Sequence, residues 1–159
     1  MNDKPTQNLE YREKVETFFA RPVCARAARP LKNGIRVSLE VDGQEYFTLT
    51  KENGILKAYC ERATLPEVSF RLSKEALEAL SEFKSEDIGE MGVLVLEWIT
   101  HAEASKRITV ASHVGILELV WKGYLGVLPL GGPAVMKFLA ARGFSGLGKI
   151  KEAISHLRS

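Results

Sequence analysis

The sequence predicts an α+β fold, an antiparallel sheet of five to six strands covered on one face by helices. Three observations lead to it. Between Ile35 and Leu72 apolar residues recur with a period of two, and the turn dipeptides Asp42-Gly43 and Asn53-Gly54 interrupt them. On either side of that region the apolar spacing becomes helical. The composition, 45% hydrophobic and 26% charged over 159 residues, is that of one ordinary globular unit able to bury its own core.

Taken in order, "QNLEYREKVETFFA" (7–20) places Leu9, Val15, Phe18 and Phe19 among Glu and Lys, which predicts a short amphipathic helix. "RPVCARAARPLKNG" follows with two prolines and four bases and reads as a connector. Its cations Arg21, Arg26, Arg29 and Lys32 are mainly a solvated surface, with transient contact to a membrane surface as the functional alternative. Residues 1–30 thus form an N-terminal helix and linker, and 31–159 the α+β domain, in a single globular unit.

"IRVSLEV" alternates, with Ile35, Val37, Leu39 and Val41 on one face. "EYFTLT", "ILKAYCERA" and "EVSFRL" supply three further strands, so four strands are expected in an antiparallel meander. In the third, alternation groups Cys60 with Leu56 and Ala58 as a buried structural thiol. Ser73 is placed to cap a helix over "KEALEALSEF", with Leu72 and Leu77 as its hydrophobic staple. Its face of Ala76, Leu77, Leu80 and Phe83 lies on the sheet.

"EDIGEMGVLVLEWIT" (86–100) favours a helix, although "VLVL" also suits a strand. "RITVASHV" alternates as a strand. "GILELVWKG" reads as another, with Leu117, Leu119 and Trp121 on one face. Pro133 starts a helix over "PAVMKFLAARG" that stops at Gly143. A last helix carries Ile150, Ala153, Ile154 and Leu157.

Several chemistries are excluded or weakened. A net charge of +2, from 22 bases and 20 acids, lacks the basic excess of a nucleic-acid binder. The charge-free run Gly123–Met136 falls short of the roughly twenty apolar residues of a membrane span. It also lacks the lysine and hydroxyl of a phosphate loop, and "GLGK" (146–149) lacks the hydroxyl that should follow. Glu97 and His101 share a helical face and His113 lies nearby in sequence, but the set is too small to define a metal site. An enzyme acting on an acyl substrate would rest on those three residues alone. No metal, no cofactor and no catalytic residue are expected. The polar start "MNDKPTQNLEYREK" has no signal core, and Cys24 and Cys60 form no C-x-x-C pair. A cytoplasmic protein with reduced thiols is the expectation.

What remains is a surplus of apolar residues in the last third, with glycines at 123, 126, 131 and 132. Ordinary core accounts for it as well as a pocket does; the glycines suit a lid or mouth.

Three features in succession resemble the sterol carrier protein type 2 domain, a lipid-binding family. They are the paired hairpins of "RVSLEVDGQEYFTLTKENGILKAYCERA", the strand-to-helix passage "PEVSFRLSKEALEALSEF", and "GILELVWKG" followed by an amphipathic helix. The resemblance implies a five-stranded sheet with helices around an apolar cavity for acyl chains or sterols. It makes "LELVWKG" the fifth strand and "AVMKFL" the helix lining the cavity. No catalytic residue carries over. The expected function is non-enzymatic binding or transfer of a hydrophobic ligand, a fatty acid, sterol or other lipid. The expected lining is Trp121, Tyr124, Leu125, Leu128, Leu130, Met136 and Phe138. The alternative is a protein–protein interaction module using the same apolar surface, for instance in a homodimer.

Overall fold

The computed structural model describes residues 4–100 and 107–141. The chain runs through helix α1 (Lys4–Phe19), helix α2 (Pro22–Ala27), strands β1 (Val37–Val41), β2 (Glu45–Glu52), β3 (Ile55–Tyr59) and β4 (Val68–Leu72). Helix α3 (Lys74–Glu82), helix α4 (Ile88–Thr100), strand β5 (Thr109–Ser112) and helix α5 (Ile116–Trp121) follow. Two short 3-10 turns, Tyr124–Gly126 and Leu128–Gly131, lead to helix α6 (Gly132–Ala141). The turn at "GLGK", the Gly143 stop, the last helix and His101 lie outside the described residues.

The five strands form one sheet in the order β3-β2-β1-β4-β5. It is mixed, which corrects the antiparallel meander. β2 is antiparallel to β1 and to β3, but β4 lies parallel to β1, Val37 facing Val68 and Val41 facing Leu72. The reason is burial. β1 alternates buried and half-buried residues throughout, whereas β3 is an edge strand exposed at every second position. Pairing with β1 brings the apolar Val68 and Leu72 inside, where an edge position would leave them half in water. β5 then pairs antiparallel with β4.

Both dipeptides take the positive φ that tight turns need. Asp42 and Gly43 stand at 53° and 67°, Asn53 and Gly54 at 51° and 79°. Ser73 caps α3 as expected, its hydroxyl accepting from the Ala76 amide at 3.1 Å.

The inner face of the sheet (Leu39, Val41, Phe47, Leu72) packs with Tyr11, Val15 and Phe18 of α1, Ala76, Leu77 and Leu80 of α3 and Met91 of α4. On α1 the buried stripe is Tyr11, Val15 and Phe18, at spacings of four and three, and Leu9 lies off that stripe in solvent. The expected connector after α1 contains α2, whose Val23 belongs to the same core. α4 is apolar almost all round because it is covered twice. Leu94, Val95, Trp98 and Ile99 pack on the core, and Val93 and Leu96 pack on Val135 and Leu139 of α6.

"GILELVWKG" is a helix instead of the fifth strand; "TVAS" takes that place beside β4. Six residues cannot separate the two periods. In the helix Leu119 is buried, while Leu117 and Trp121, four apart, share the opposite, exposed side. Cys60 is exposed, because β3 ends at Tyr59 and alternation ends with it.

Candidate functional site

Between the sheet and the helices the structure leaves an apolar hollow of about 400 Å³, partly open to solvent. Its floor is the inner face of the sheet, with Ile35, Val37, Leu49, Leu56 and Phe70. Phe18, Phe19, Val23, Cys24 and Ala27 form one wall, from α1 and α2. Ile88, Met91, Val95, Leu96 and Ile99 of α4 form another, and Tyr124, Val127, Leu128 and Val135 close the remaining side. Among the described residues, none of the lining carries a charged side chain.

Two polar assemblies hold these walls. The first centres on Glu67, which is fully buried just before β4. Its carboxylate accepts from the Arg36 amide at 3.0 and 3.1 Å, from Arg36 Nε at 3.1 Å and from Lys122 Nζ at 3.1 Å. Lys122 also pairs with Glu118. Burial opposes the charge on Lys122, yet its hydrogen bonds to Glu67 and Glu118 outweigh that and hold its pKa above the ordinary lysine value. Two acids and two bases balance in charge, which offsets the lost hydration of the buried group. This cluster ties the entrance of β1, the entrance of β4 and the end of α5 at one place.

Tyr124 adjoins it. Its ring lines the hollow, while its hydroxyl is buried without a hydrogen-bond partner among the described residues. Burial, and then the charge of Glu67, push its pKa above the ordinary tyrosine value, so the hydroxyl keeps its proton.

The second assembly is Lys51. It occupies an inward position of β2, where the alternation calls for an apolar residue. Its ammonium donates to the carbonyls of Ala28 (3.0 Å), Arg29 (3.1 Å) and Leu31 (2.8 Å). All three donors are used, on carbonyls of the segment that follows α2. The segment forming the hollow's rim at Ala28 and Leu31 is thereby fixed to the sheet.

The other cations of that segment divide. Arg21 donates to the carbonyls of Phe83 and Ser85 and pairs with Glu86 at 3.1 Å. Arg26 donates to the Glu86 carbonyl. Arg29 and Lys32 are exposed.

The turns at 124–131 are seated against this segment, which explains their glycines. A Cβ on Gly123 would lie 1.9 Å from the Pro30 carbonyl oxygen, and its φ is +90°. A Cβ on Gly131 would meet Val135 at 2.2 Å. Close approach is their role here.

Of the seven expected lining residues, Tyr124 and Leu128 face the hollow. Leu125 is buried outside its lining. Leu130 borders a separate cleft with Arg26, Glu86 and the start of α6. Trp121 and Met136 are exposed, and Phe138 is half-buried away from the hollow. The helical α5 is the reason for Trp121: its side chain turns out where a strand would have turned it in. Sequence reasoning missed the walls from α1, α2 and α4. The signal was present in α4, whose apolar residues exceed what one buried face needs. Glu97 is exposed on α4, and His113, beyond β5, shares a 2.7 Å hydrogen bond with Ser69.

No known family model matches the chain, and no curated protein does. Among solved structures the chain is similar to one titled "UbiJ-SCP2 Ubiquinone synthesis protein", at 15% identity and a TM-score of 0.40, over 82% of this chain and 95% of that one.

Proposed function

We propose that the protein binds an apolar ligand, such as the acyl chain or ring system of a lipid, in the hollow between sheet and helices. The observation that carries this reading is a hollow of about 400 Å³ whose lining, among the described residues, has no charged side chain. That size lies in the range of ligand pockets, roughly 300–1,000 Å³. A closed core would have filled the space with side chains, since interiors pack to crystal density. The driving force is burial, about 25 cal/mol for each Å² of apolar surface removed from water. The binding is non-enzymatic: partition from water or a membrane into the hollow.

The chemistry of the lining selects among ligands. An ionised head has no partner there, and burying it unpaired is strongly unfavourable. The portion inside is therefore uncharged, and any carboxylate of a fatty acid stays toward solvent. The methyl ester of a long-chain fatty acid is expected to bind at least as tightly as the free acid at pH 7, measured by displacement of a fluorescent acyl probe. Native mass spectrometry of freshly purified protein tests the reading itself. It predicts retained mass that organic extraction removes and that reappears on adding lipid. Protein that retains nothing and takes up no probe would contradict it.

A further inference from the structure

We propose that the exposed face of α5, with the turns and the outer side of α6, docks on an anionic lipid bilayer beside the hollow. As a route for the ligand, this rests on the reading above. Leu117, Val120 and Trp121 fall on one side of α5, 82%, 42% and 71% exposed. The stretch Tyr124–Ala141 that continues from it has a mean hydropathy of 1.3 over 18 residues, yet only 17% of it is buried. By length and composition it matches a membrane span. Its two 3-10 turns and the +66° φ at Gly132 break it into pieces that cannot cross as one helix. A broken apolar stretch with Leu130 and Met136 40% and 39% exposed, beside the α5 face, fits the boundary of a bilayer.

Charge selects that occupant. Residues 20–36 hold five bases and no acid, and 107–141 hold three bases and one acid, although the whole chain carries only +2. These two segments pack together where Gly123 meets Pro30. The one acid, Glu118, is paired with Lys122. Arg29, Lys32 and Lys137 are exposed and form no ion pair among the described residues. Lys32 Nζ sits 3.4 Å from the centre of the Trp121 ring, so a cation and an indole occupy one spot. Tryptophan at the headgroup level with flanking Lys or Arg is the pattern of a membrane–water boundary. A second copy of this chain would bring the same excess of cations against itself, which disfavours a two-fold interface here. Leu31, Tyr124 and Leu128, on the same two segments, line the hollow, so a docked bilayer lies next to it.

Trp121 is its own reporter once Trp98 is replaced. In a Trp98→Phe protein, vesicles of phosphatidylcholine with phosphatidylglycerol should shift Trp121 emission to the blue, and brominated acyl chains should quench it. Phosphatidylcholine alone should do neither, and added salt should reverse the binding. Arg29→Gln with Lys32→Gln should weaken binding by about 25-fold, each cation near an anionic surface being worth about fivefold. Leu117→Ser with Trp121→Ser should abolish flotation of the otherwise native protein with the anionic vesicles. Flotation of the unmodified protein gives the same answer if Trp98→Phe perturbs the fold. Trp121 emission that ignores anionic vesicles, or responds equally to neutral ones, overturns the proposal. So does a doubled mass by light scattering with Trp121 shielded from an aqueous quencher before lipid is added. The hollow is scored separately, by uptake of a soluble fluorescent acyl probe in lipid-free buffer. The Leu117→Ser/Trp121→Ser protein should take it up like the parent. Uptake without docking sinks this proposal alone, and docking without uptake sinks the hollow as the ligand's destination.

Discussion

Glu67 is the residue whose environment is most completely specified. Three donors, the Arg36 amide, the Arg36 guanidinium and the Lys122 ammonium, compensate the lost hydration of its buried carboxylate. Glu67→Gln keeps the shape but leaves Arg36 without its counter-charge and Lys122 with Glu118 alone. Since both can still reach water, the expected loss is about 2–3 kcal/mol in urea unfolding. Tyr124→Phe is the opposite case. It removes a buried hydroxyl that lies beside Glu67 without a well-formed hydrogen bond, so stability should change by no more than about 1 kcal/mol. Cys24, in the wall of the hollow, has its thiol pushed up to about 11 by burial, against the lowering effect of Arg21. Its thiolate fraction below pH 9 is then about a hundredfold less than that of an ordinary thiol. Alkylation of the Cys24 peptide, followed by mass spectrometry, should be slow at pH 8 and accelerate up to about pH 11. The sign for stability follows. Below pH 9.0 both states hold the proton; above it the unfolded chain loses it first, and stability falls as the pH rises toward about 11.

At the scale of elements, the turns and caps were legible because their chemistry is local. Asp42-Gly43, Asn53-Gly54 and Ser73 act within a few residues of themselves. The hairpins and α3 followed from that. What was not legible depended on partners distant in sequence. "EVSFRL" reads as a strand either way; that it pairs with β1 depends on which neighbour buries Val68 and Leu72. "ILELVW" is too short for its period to decide, and with "TVAS" already beside β4 it forms α5. Lys51 breaks the alternation of β2, and only the position of α2 explains it. The glycines of 123–132 pointed toward a mobile mouth, but a pinned turn needs them equally. Gly123→Ala separates the two, since a Cβ there has neither space nor a suitable φ. A loss of at least about 2 kcal/mol is expected in thermal or urea unfolding, where a loose flap would show almost none.

For the whole molecule, the covering layer is the source of the hollow. α1, α2 and α4 meet the sheet around a space that their side chains do not fill, while α6 supports α4 from outside. The sequence resemblance led to an apolar cavity, and the expected lining came from the last third alone. Tyr124 and Leu128 are the part of that lining that faces the hollow. The other walls are assembled from α1, α2 and α4, and no local stretch announces them. Leu56 is half-buried on the edge strand opposite Lys51 and reaches the hollow's floor, so Leu56→Trp should narrow the hollow while the protein stays folded by circular dichroism.

Titration of a fluorescent long-chain acyl probe into the parent protein and into Leu56→Trp tests the central claim most directly. Saturable binding to the parent, displaced by unlabelled lipid and weakened in Leu56→Trp, is the predicted result. Absence of binding to the parent, or undiminished binding to a folded Leu56→Trp protein, would contradict the assignment of the hollow as the ligand site.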